Sequence, residues 1–114
     1  MENNYLSSEG EDVLGFVRRI VAEQSDPEPL HIVEQLVEII VSELKGRPCK
    51  ASITASDKGM KVTLRHEGKP IDNRMIRLMD DHTDHVDYYH DGDTGWKLVI
   101  TREIPPLFAQ KRKS

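Results

Sequence analysis

Apolar residues recur at a helical period in the first half of the chain and alternate with polar ones beyond it. Over residues 9–24, Val13, Phe16, Val17, Ile20 and Val21 fall three and four positions apart, which predicts an amphipathic helix. Ser25, Asp26, Pro27 and Glu28 interrupt it and also start a second helix. Ser25 or Asp26 supplies the cap, and Pro27 sits in a first turn that needs no amide donor. This second helix is expected over residues 27–45, with Leu30, Val33, Leu36, Val37, Ile40, Val41 and Leu44 on one stripe, and Gly46, Arg47 and Pro48 end it. Its other face carries His31, Glu34, Glu38 and Ser42, which the spacing makes neighbours.

After Pro48 the period is two. Ala51, Ile53 and Ala55 alternate with Ser52, Thr54 and Ser56, and Asp57, Lys58 and Gly59 make a tight connection. Met60, Val62 and Leu64 then alternate with Lys61, Thr63 and Arg65, giving a β-hairpin with one apolar face. Helix stripes and a sheet face of this kind cover one another, so the expected fold is α+β, a two-layer sandwich with helices on one face of a sheet. The alternation puts His66 on the apolar side, where it either satisfies itself in the core or faces a pocket. Glu67 to Pro70 read as a turn, and Ile71, Met75, Ile76 and Met79 as a short helix. Residues 96–104 fit a strand through Trp96, Leu98 and Ile100, or a helix through Trp96, Val99, Ile100 and Ile104, and Pro105 and Pro106 end either one.

Length and charge narrow the possibilities. A chain of 114 residues buries roughly 65% of its unfolded surface, enough for one two-layer core. The expectation is a loose N-terminus over 1–8, one domain over 9–106 and a basic tail over 107–114 containing Lys111, Arg112 and Lys113. A net charge of −4 argues against nucleic acid as the main partner. The lone Cys49 has no disulfide partner within the chain and no visibly matched base for nucleophilic chemistry. The first residues lack a signal-peptide pattern and no apolar run approaches the roughly 18 residues of a membrane span, so the expected location is cytoplasmic, with no membrane partner.

Between Asp80 and Asp93 lie three histidines and six aspartates with no lysine or arginine. His82, His85 and Asp81 offer two imidazoles and a carboxylate, a possible three-ligand metal site with an open position. The alternative is a solvated polar loop.

The order of these elements resembles the histidine-kinase-like ATPase (GHKL) superfamily, in particular its anti-sigma factor and serine kinase branch, over roughly residues 10–104. Glu38-Ile39-Ile40-Val41-Ser42 is similar to the motif in which a glutamate polarises the attacking hydroxyl and an asparagine four residues on holds magnesium. Ser42 stands at the asparagine position and is a shorter, poorer ligand. His66-Glu67-Gly68 is similar to the aspartate-x-glycine motif whose carboxylate reads adenine, with His66 in place of the carboxylate. Gly92-Asp93-Thr94-Gly95 resembles the glycine-rich box that cradles phosphate at the start of a helix, with Asp93 adding negative charge there.

The resemblance implies a histidine-kinase-like ATPase fold with a mixed sheet, and it implies that Asp80 to Asp91 form a mobile lid. It makes Glu38 the catalytic residue of an active enzyme and Ser42, His66, Gly68, Gly92 and Gly95 the cofactor-binding set. Each motif is altered in its chemistry, so the expected function is that of a regulatory protein like an anti-sigma factor, binding another protein with ATP binding weakened or lost. Its partner would be a sigma factor or an anti-anti-sigma-like protein, with a homodimer possible. Candidate contacts are Glu34, Glu38, Arg74, Arg77 and the pair Tyr88 and Tyr89. No cofactor is then expected. An active serine/threonine kinase of the same branch would instead use ATP and magnesium, and a metal-binding protein would use segment 80–93.

Overall fold

A computed structural model describes residues 2–7, 12–44, 47–92 and 95–104. The basic tail expected over 107–114 lies outside the described residues. The helices form where the stripes predict them. α1 (Val13–Ala22) begins at Asp12, whose carboxylate accepts the Gly15 amide at 3.2 Å and caps the first turn. It buries Val13, Phe16, Val17, Ile20 and Val21. A 3-10 turn (Glu28–Leu30), with proline in its first turn, leads into α2 (His31–Leu44), which buries Val33, Leu36, Val37, Ile40 and Leu44. α3 (Asn73–His82) is capped by Asp72 through the Arg74 amide at 2.8 Å and buries only Met79, with Met75 and Ile76 half-buried.

Against these helices stands, among the described residues, a five-stranded sheet in the order β1-β2-β3-β5-β4. The strands are β1 (Asn3–Leu6), β2 (Cys49–Ser56), β3 (Gly59–His66), β4 (His85–His90) and β5 (Trp96–Glu103). Every pairing is antiparallel. The α+β class therefore holds, whereas the mixed sheet does not. Only residues 91–95 separate β4 from β5, and a connection that short returns the chain antiparallel.

The inner face carries Ala51, Ile53, Ala55, Met60, Val62, Leu64, Leu98 and Ile100, all buried in one cluster with the helix stripes. Each large side chain so buried contributes about 1.5–3 kcal/mol relative to exposure, which makes this interface the main source of stability.

Two local expectations are corrected and one open alternative is decided. Residues 3–6 are an edge strand rather than part of a loose terminus. Tyr5 is in register with Ile53, and the Thr54 hydroxyl donates to the Asn4 side chain at 2.9 Å. The acidic stretch is not a lid: α3 extends through Asp80 and Asp81 to His82, and β4 follows. Val86 and Tyr88 turn towards the core while Asp87 and Tyr89 turn away, so the stretch alternates as an edge strand does. Its entry is fixed by Asp84, whose carboxylate accepts the Glu103 amide at 2.7 Å and faces Arg102 at 3.6 Å. Residues 96–103 are a strand, which decides the ambiguity left by periodicity.

Candidate functional site

The chemically richest place is the end of the inner sheet face where β2, β3, β5 and β4 bring Cys49, His66, Trp96 and His90 into one lateral row. Their register partners run Cys49 to His66, His66 to Trp96, and Trp96 to His90. His66 is only 2% exposed. For the neutral ring, its surroundings select the tautomer. The Ile71 amide donates to the Tyr88 hydroxyl at 2.8 Å, so that oxygen's own hydrogen is free to go to His66 Nε2, also at 2.8 Å. Nδ1 lies 3.2 Å from the Glu67 carbonyl oxygen, which only accepts, so Nδ1 carries the proton. The relay runs from Ile71 through Tyr88 and His66 to Glu67, and both ring nitrogens are used within the chain.

Aromatic packing closes the same corner. Tyr88 stacks on Trp96 with centroids 5.0 Å apart and on the His66 ring at 5.9 Å, and His90 meets Trp96 edge-on at 5.2 Å. Arg47, just past α2, clamps the following turn. Its Nε donates to the Leu44 carbonyl at 3.2 Å, and one terminal nitrogen donates to the Glu67 and Lys69 carbonyls at 3.3 and 2.9 Å.

Burial pushes the Tyr88 hydroxyl above its usual pKa, against opposing pulls from the Ile71 amide and the Arg47 charge. Burial also pushes the Cys49 thiol up to about 11, which lowers its thiolate fraction and so disfavours it as a nucleophile at neutral pH.

The residues singled out from sequence divide into three places. His66, Gly68 and Gly95 come together: a side chain at Gly95 would fall 2.6 Å from the His66 carbonyl oxygen, and one at Gly68 would fall 2.8 Å from the Arg47 guanidinium. Glu38 and Ser42 stand on the exposed face of α2, where Glu38 meets Arg18 of α1 at 3.6 Å with both side chains more than half exposed. An ion pair so placed contributes at most about 1 kcal/mol and holds no carboxylate in a dry, poised position. Gly92 lies between β4 and β5, and a side chain there would have open space around it. Because β5 is a strand, the glycine pair does not lead into a helix start, and the phosphate cradle that the resemblance placed there is missing its helix.

The proposed metal ligands diverge. Asp81 and His82 end α3, and His85 opens β4, where its Nε2 meets the Asp87 carboxylate at 2.9 Å. Among the described residues no three His, Cys, Asp or Glu side chains converge to hold a metal ion.

Of the expected contact residues, Glu34 is taken by His31 at 3.0 Å, and Tyr88 faces inward. Arg74, Arg77 and Tyr89 remain exposed. The roles of Tyr88, Trp96 and Arg47 were missed. For the first, the alternation of Val86, Tyr88 and His90 within an apparently polar segment was the available signal. No family model matches the chain, and no curated protein matches it significantly.

Proposed function

We propose that this chain is a regulatory binding protein resembling an anti-sigma factor, on a scaffold related in shape to the histidine-kinase-like ATPases, and that it works by contact with another protein rather than by turning over nucleotide. The observation that carries the reading is the closed state of His66. At the position where the resemblance expects an adenine-reading acceptor, both ring nitrogens bond within the chain, and Tyr88 and Trp96 pack beside the ring. Admitting a base there would break the relay and leave the Ile71 amide and His66 without partners, at about 1–3 kcal/mol for each buried group.

The solvent-facing placement of Glu38 and Ser42 supports the same reading. A general base works within hydrogen-bond reach of its proton in a site that excludes water, and Glu38 is instead shared with Arg18 on an open helix surface.

Calorimetric titration of the chelator-treated protein with ATP and ADP, with and without magnesium, tests it. The expected result is no saturable heat at millimolar nucleotide. Micromolar binding strengthened by magnesium and lost in Glu38→Ala would restore the kinase reading.

A further inference from the structure

The sheet face turned away from the helices carries an unusual arrangement of charge. Alternation places Lys50 and Ser52 of β2, Thr63 and Arg65 of β3, Lys97 of β5 and Tyr89 of β4 on this side, opposite buried Ala51, Leu64 and Leu98. The register sets Lys50 opposite Arg65, Arg65 opposite Lys97, and Lys97 opposite Tyr89. Three cations thus stand shoulder to shoulder on adjacent strands spaced about 4.8 Å apart.

Like charges directly opposite each other weaken a sheet, yet they are gathered here in a chain whose net charge is −4. Neighbouring acids offset them only in part. Asp91 pairs with Arg65 at 3.9 Å, an ion pair with side chains 45% and 42% exposed that contributes at most about 1 kcal/mol. Asp87 is engaged with His85. Among the described residues Lys50 has no ion-pair partner, and Lys97 rests over the Tyr89 ring at 5.8 Å. Beside the row, Lys50 and Arg65 share a groove of about 350 Å³ with Ser52, Thr63 and the 80% exposed Leu6.

We propose that this row is the docking surface for an acidic segment of a partner protein, whose carboxylates pair with Lys50, Arg65 and Lys97 and whose apolar side chain lies against Leu6. The inference rests on the reading that the protein acts by binding another protein, and it adds the surface and the kind of segment. Charge complementarity selects the occupant. A few carboxylates match three cations, whereas a nucleic acid would approach a chain that repels polyanions at long range. A single-strand platform also needs a series of outward aromatic rings on which successive bases stack. Here Tyr88 and Trp96 pack together at the inner corner, and Tyr89 is left beside Lys97.

Fluorescence anisotropy on the full chain tests the proposal with three labelled probes: a short peptide of alternating glutamate and leucine, its glutamine analogue, and an oligothymidylate of similar length. The glutamate peptide should bind saturably and more weakly as salt rises. The glutamine analogue should bind at least about ten-fold more weakly, and the variant Lys50→Gln, Arg65→Gln, Lys97→Gln should lose at least about ten-fold in affinity for the glutamate peptide. The same variant should unfold at an equal or higher denaturant midpoint, because the charge row is relieved. Lys50→Glu alone gives the same ordering should the triple variant fail to fold.

Absence of saturable peptide binding, equal binding by the variants, or tighter binding of the oligothymidylate would overturn the proposal. These results are separate from the nucleotide titration. Peptide binding can fail while nucleotide is still refused, and nucleotide binding would overturn the functional reading whatever the peptide does.

Discussion

Tyr88→Phe removes one oxygen atom from the corner while leaving the ring and its stack on Trp96 in place. That oxygen accepts from the Ile71 amide and donates to His66 Nε2, each at 2.8 Å. Two hydrogen bonds are lost, each worth about 1 kcal/mol net when water can replace the partner. Here it cannot do so freely, since Ile71 is 3% and His66 2% exposed. Leaving a buried donor and a buried acceptor unpaired raises the expected loss to about 2–4 kcal/mol.

For a domain with about 5–15 kcal/mol of total stability, that is a shift urea unfolding resolves easily. Trp96 is the only tryptophan, so its emission reports the unfolding from within the affected stack. Adding His66→Leu removes the stranded acceptor, so the double variant should lose less than the sum of the two single losses. A loss under about 0.5 kcal/mol in Tyr88→Phe, the range of an ordinary surface substitution, would refute the relay. Strict additivity with His66→Leu would refute it as well.

The same residue gives a pH dependence of definite sign. Burial raises the Tyr88 pKa above 10.0, so its stability contribution is complete below that pH and is lost as pH climbs through the raised value. Tyr88→Phe should abolish this part of the alkaline loss.

Other consequences are smaller or more local. The Cys49 thiol, pushed from 9.0 to about 11, should react with a disulfide reagent at pH 8 about 100-fold more slowly than an unshifted thiol, from its thiolate fraction alone; equal rates would contradict its burial. Its raised pKa also means that stability is fully present below pH 9.0 and falls as pH rises to about 11, a loss Cys49→Ala should remove. Gly59 has φ +149°, and a side chain there would collide with the Arg102 carbonyl oxygen and come within 2.9 Å of the Glu103 Cα. Gly59→Ala should therefore cost at least about 2 kcal/mol by unfolding, and a neutral result would mean that β3 and β5 pair differently. Asp12→Ala should cost about 1 kcal/mol through the lost cap on α1, whereas Asp12→Asn should stay within a few tenths of the parent.

The parts of the fold that were legible in the sequence are those where one side of an element is buried. α1, α2 and the β2–β3 hairpin bury whole stripes, and an amphipathic period reports burial directly. β1 and β4 were read as loose or polar because they are edge strands. Asn4 bonds through a side chain to β2, Asp87 faces solvent, and the apolar packing of these strands against the core comes from Tyr5, Val86 and Tyr88. Segments of this kind owe their structure to pairing with distant strands, information that local composition does not hold.

The candidate site shows the same division. Placing His66 on the apolar side followed from alternation alone. What satisfies it did not, because Tyr88 lies 22 residues away and meets it only through the order of β3, β5 and β4. The histidine and aspartate run suggested a metal site by proximity in sequence. The boundary between α3 and β4 falls inside that run and separates Asp81 and His82 from His85.

The closed state of His66 is most directly tested by long-range proton–nitrogen NMR of its imidazole, recorded on the full chain before and after addition of ATP with magnesium. The predicted spectrum has the proton on Nδ1 and an unprotonated Nε2 that accepts a hydrogen bond from Tyr88, and its imidazole signals and the Ile71 amide signal stay where they are when nucleotide is added. A proton on Nε2, or a saturable shift of these signals with nucleotide, would contradict it.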